Sequence, residues 1–230
     1  MQRYARIAGF LYLTIIVTSL LSLLAVESRL VVAGDRAETA RRIADSDLLY
    51  RAGLVYDLAM FASVVALAWS LFVILRTVHR DLALLALLWR MAEAVVGAVT
   101  ILFGVLAALL AAEPDADPAL VDAMLTARDT GFDVTIVFLC LGTILNCALL
   151  YRARLIPRAL SGLGVGAFAL MLVGAAAGLL LPEHKDALMA AWAPGIVFEV
   201  AIGAWLLAKG VRTPRPPATA PAPALAATTR

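Results

Sequence analysis

The stretch Leu82–Ala112, LALLALLWRMAEAVVGAVTILFGVLAALLAA, is apolar over more than the width of a bilayer, yet it holds Arg90 and Glu93. A hydrocarbon core of about 30 Å is crossed by about 20 residues of helix. An ionised side chain at that depth costs about 2.5–3.5 kcal/mol even on lenient insertion scales, so it is normally turned inward and paired. A chain that tolerates two such residues must fold as a helical membrane protein with a polar interior. Composition agrees: 63% of the 230 residues are hydrophobic and mean hydropathy is +0.93, where soluble domains are about half apolar. The formal net charge is only +2, and the basic residues lie in short groups between apolar runs, as topology signals do. No nucleic-acid partner is expected, because no basic face is built. The lipid bilayer is the partner composition requires.

Five more runs join the central one. Arg3 and Arg6 precede Ile7–Val26, which is longer than the about 7–15 apolar residues of a cleaved signal and lacks a clean A-x-A site, so it reads as a retained first span. Asp35 followed by Glu38 has capping-box spacing, and Ala40, Ile43, Ala44 and Leu48 recur at helical spacing, predicting a short amphipathic helix on the membrane surface. Gly53–Leu75 is the second span, and the short link RTVHRD makes it an antiparallel neighbour of the third. Asp117, Pro118 and the apolar set Leu120, Val121, Met124 and Leu125 predict a second interfacial helix. Phe132–Tyr151, Leu160–Leu181 and Gly195–Ala208 complete six spans. Gly162, Gly166, Gly174 and Gly178 form small-xxx-small pairs in the fifth span, a packing face within the bundle or an oligomer contact. The expected fold is an all-α, polytopic six-helix transmembrane bundle over residues 1–212, with short interfacial helices in the outer loops. A disordered Pro/Ala-rich cytoplasmic tail is expected at 213–230. The Lys and Arg bias puts both termini in the cytoplasm and the chain in the inner (plasma) membrane, against the pull of five arginines in the first loop.

Depth follows from about 1.5 Å per helical residue. Counted from the cytoplasmic ends, Arg90 lies roughly 12 Å up, Glu93 about 16 Å and Glu199 about 15 Å, a shared level; Asp57 and Asp133 lie roughly 27 Å up, near the outer boundary. An Arg90–Glu199 pair, with Glu93 one turn along, is the expected constellation. Four acids then face one base, so Arg90, Glu93, Glu199, Asp57 and Asp133 are the candidate ligand-binding residues. Cys140 and Cys147 continue the seven-residue spacing from Asp133 as an inward stripe, too far apart to bridge. His79 and His184 fall in loops on opposite sides, excluding a histidine pair for haem or zinc. Ser161 lacks a nucleophile-elbow context, and no phosphate loop opens a helix after a strand. Neither a cofactor, a metal nor a catalytic residue is expected. Two functions fit: handling of a small molecule or ion at the polar centre, or a non-catalytic membrane scaffold held by a buried ion pair.

The segments RIAGFLYL (Arg6–Leu13), RLVVAGDRAETA (Arg29–Ala40), RAGLVYDLAM (Arg51–Met60), TGFDVTIVF (Thr130–Phe138) and FEVAIGAWLLAKGVR (Phe198–Arg212) resemble, in order and spacing, a bacterial integral-membrane family catalogued as domain of unknown function 4386. The resemblance covers nearly the whole chain and implies a six-helix fold. It supplies no catalytic residue.

Overall fold

The computed structural model describes residues 1–32, 35–113, 115, 117–184 and 188–212. Its helices are α1 Gln2–Leu21, α2 Arg36–Asp45, α3 Asp47–Leu75, α4 Arg80–Ala111, α5 Pro118–Ala153, α6 Arg158–Leu180 and α7 Ala193–Ala208; no strand occurs among the described residues. Six of them are long and apolar enough to cross a membrane; α1 is extended for this purpose by a π-helical segment, Ser22–Glu27, and a last turn, Ser28–Leu30, and α7 by residues from Ala190. The expected tail at 213–230 and Lys185 of the last loop lie outside the described residues.

Each long helix packs on its predecessor in the chain, and α7 returns to pack on α1, so the six form a closed ring. At the α1–α7 seam backbones approach closely. A Cβ placed on Gly9 would stand 2.4 Å from the Leu207 nitrogen and 2.7 Å from the Gly203 oxygen, so backbone meets backbone and only glycine fits. The first and last described residues meet on one side of the ring, where the Gln2 side chain hydrogen-bonds the Val211 backbone and the Arg212 N–H donates to the Leu155 carbonyl at 2.8 Å. The core is filled by Leu67, Leu71, Ile74, Leu149, Phe168, Phe198 and Ile202, with Phe168 and Phe198 meeting edge to face.

Three elements differ from the sequence expectation. The second interfacial helix is absent as a separate element: Asp117 does cap Ala119 N–H at 2.9 Å and Pro118 does start a helix, but that helix runs unbroken into the span as the 36-residue α5. Nothing between Asp129 and Phe132 breaks it, since Gly131 keeps helical geometry and faces Thr100 on α4. At about 54 Å it overreaches the hydrocarbon core. Helix α2 forms with the expected cap, Asp35 accepting from Glu38 N–H at 2.9 Å. Its predicted apolar face is split, however: the fully buried Ile43 seats it against α4, α5 and α3, while Ala44 and Leu48 are exposed. Finally, Gly166 and Gly178 have no neighbour within contact distance and Gly162 only the edge of the Tyr151 ring at 4.0 Å, whereas Gly174 meets Ala191; the glycine face of α6 is mostly turned outward.

Candidate functional site

Two polar assemblies lie between the helices. At mid-depth, Arg90 and Glu93 on α4 are 3% and 4% exposed. One turn apart on one helix face, they pair with each other, Arg90 Nη1 standing 2.8 Å from Glu93 Oε2. That oxygen is out of line with the guanidinium N–H bonds, so the contact is an ion pair without a hydrogen bond. The same Nη1 donates to Thr143 Oγ1 on α5 at 3.4 Å. The arginine stem lies flat on Gly142, where a Cβ would come within 2.8 Å of its Cγ and Cδ. Close packing of α4 on α5 therefore depends on glycine at 142, and Trp89 stacked on Phe138 locks the register.

Glu199 on α7 shares a helix face with buried Gly195, Ile202 and Leu206, so it points into the ring, yet it retains accessible surface. It lies within electrostatic range of Arg90. Among the described residues, however, Arg90 forms its ion pair with Glu93 and none with Glu199, and the expected Arg90–Glu199 clamp does not form. The reason is local: an i,i+3 partner is delivered by the same helix turn, whereas α7 packs on α1 and α6, across the ring from α4. Buried Tyr12 on α1 joins the group, within electrostatic range of Arg90, Glu93, Glu199 and Cys147. The sequence carried a signal for it, since tyrosine favours the membrane interface and this one lies about 15 Å into its span. Cys140, Cys147 and Asn146 line the inner face of α5, as the polar stripe predicts.

The second assembly lies toward the end of the bundle opposite the termini. Asp57 on α3 pairs with Arg128 on α5, Nη2 to Oδ2, at 2.8 Å. By sequence Arg128 falls in the stretch read as a second interfacial helix, outside the spans; the continuity of α5 brings it against Asp57 and supplies the second base that the imbalance of four acids over one base lacked. Asp133 is buried on the inner face of the same helix. Of the five candidate residues, then, Arg90, Glu93 and Glu199 share one level, Asp57 belongs to a separate pair, and Asp133 lies on the α5 stripe. No cluster of three or more metal-ligating side chains occurs among the described residues.

Neither the curated proteins nor the solved structures contain a match to the chain. A family model does match, over residues 7–210, which takes in all six long helices and both polar assemblies. The chain belongs to the family described as Domain of unknown function (DUF4386).

Proposed function

We propose that this multi-pass membrane protein, with both termini on the cytoplasmic side of the plasma membrane, binds a small cation at the level of Arg90, Glu93 and Glu199. The observation that carries the reading is Glu199: it faces the ring interior with accessible surface and has no ion-pair partner among the described residues, while the nearest base, Arg90, is already engaged by Glu93. Two carboxylates facing one guanidinium leave a formal charge of minus one in a low-dielectric interior, and one positive charge balances it. The Thr143 and Tyr12 hydroxyls supply neutral oxygen atoms near the same groups.

A binding site of this kind stabilises the folded state by linkage, by about 1.4 kcal/mol at ten times Kd. Thermal unfolding of the detergent-solubilised protein, titrated in turn with sodium, potassium and methylammonium at constant ionic strength, is expected to rise with one of them. The rise should vanish in Glu199→Gln, with the fold retained. The second reading, a structural clamp in a membrane scaffold, is favoured by the near-complete burial of Arg90 and Glu93. It requires that no cation shifts the wild-type transition, and that result would leave the clamp as the account of the polar centre.

A further inference from the structure

A cavity of about 340 Å³ opens between the π-helical end of α1, the start of α3 and the first turns of α5. It is distinct from the mid-depth centre and shares none of its residues. Its size falls in the range of small-molecule sites. Its walls are mainly apolar: Val26 and Leu30 are buried on the α1 side, Leu54 on α3, and Leu125 stands opposite on α5. Leu23 and Val31 also line it while remaining 49% and 51% exposed, so the mouth is greasy and faces the bilayer side.

The polar groups are few. Ser22 is only 4% exposed, and its Oγ has no hydrogen-bond partner. A buried hydroxyl without a partner destabilises the fold that holds it, and this one lines the cavity. It stands at the first residue of the π-helical segment, a backbone irregularity that recurs at functional sites. Ser19, nearly one turn before it, reaches Met60 Sδ on α3 at 3.0 Å, which sets Ser22 near the level of Asp57. Arg128, held by Asp57, and the Tyr50 hydroxyl complete the polar floor. Because Asp57 already balances Arg128 and Asp129 adds a further acid at the rim, the floor offers hydrogen bonds without net positive charge.

We infer that this cavity is a binding site for an uncharged amphiphile from the bilayer, an apolar body ending in a hydroxyl or carbonyl group, whose head hydrogen-bonds Ser22 while its body lies along Val26, Leu30, Leu54 and Leu125. An anionic head meets Asp129 and finds Arg128 already neutralised by Asp57. A cationic head finds Arg128.

The test uses the full chain in phosphatidylcholine vesicles and a decanol analogue carrying a photoactivated diazirine, with the labelled peptides mapped by mass. Labelling is expected to concentrate on residues 22–31 and 125–129. Decanol should compete for it at least tenfold better than decanoate or decylammonium. Ser22→Ala is expected to lower labelling roughly fivefold, the worth of one net hydrogen bond, with thermal stability kept or raised because an orphan hydroxyl is removed. Leu54→Trp, which fills the cavity, should abolish it. Labelling spread evenly over lipid-facing helices, competition by the charged analogues equal to that by decanol, or unchanged labelling in both variants would each overturn the proposal.

Discussion

At the level of single residues, the polar centre shows how strongly the nearest available partner decides a buried ion pair. Depth along the helices groups Arg90, Glu93 and Glu199, but depth is one coordinate; azimuth around the ring, which no apolar run encodes, gave Glu93 the contact and left Glu199 apart. Removing one partner strands the other in a site that is almost fully buried, so Arg90→Ala should destabilise by about 3–5 kcal/mol, and Arg90→Ala combined with Glu93→Ala should destabilise less than Arg90→Ala alone. Unfolding temperatures of the two variants in one detergent check this, and strictly additive losses would mean that the 2.8 Å contact contributes nothing. Arg128 teaches a related lesson. Its polar neighbours, Asp122, Thr126 and Asp129, mark an extramembrane segment by composition, and its pairing with Asp57 depends on the helix there continuing into the span. Tyr12, by contrast, was legible, being a polar-tipped residue in mid-span with small Ala5 and Ala8 on the same face.

At the level of elements, hydrophobic length was the dependable guide: the six runs become six helices, and the RTVHRD link does hold α3 and α4 as neighbours. Boundaries and joints were less legible, because capping residues specify where a helix starts and say nothing of whether it stops. Asp117 and Pro118 begin α5 as expected, while the merger with the following span is settled by packing on α4 and α6. The cap of α2 was half written in Asp35 and Glu38: Asp35 accepts from the Glu38 N–H as a capping box expects, but the Glu38 carboxyl turns to Arg41 and Arg42, and that makes a pH prediction. Hydrogen bonds from Arg42 and Arg41, at 2.7 and 2.9 Å, hold the Glu38 carboxyl below its ordinary value. A lowered native value means that the contribution is complete above the ordinary glutamate pKa of about 4.3 and is lost as pH falls through the native one. Backbone NMR signals of Thr39 and Ile43 should therefore report loosening of α2 only below about pH 4. Glu38→Gln should remove that acid-specific step.

At the level of the whole molecule, six helices long and apolar enough to cross a membrane bring Gln2 and Val211 to one side of the ring, and the proposal that this side is cytoplasmic rests on the excess of Lys and Arg. Cys140 and Cys147 are buried, so single cysteines can be added to the wild-type chain. One at Asp115 should react with an impermeant maleimide in intact cells and one at Thr77 should not; the opposite pattern inverts the orientation. The i,i+3 geometry of Arg90 and Glu93 also bears on how such a chain is made. Spans enter the bilayer in sequence, and the third carries the two costliest side chains before α5 and α7 have been synthesised. A charge partnered only by a later helix would face lipid alone in that interval, whereas Arg90 arrives with its counter-charge one turn away. In a translocon assay the isolated third segment should insert efficiently, and Glu93→Ala should lower its insertion although it deletes a charge, because the arginine it leaves behind crosses unaccompanied.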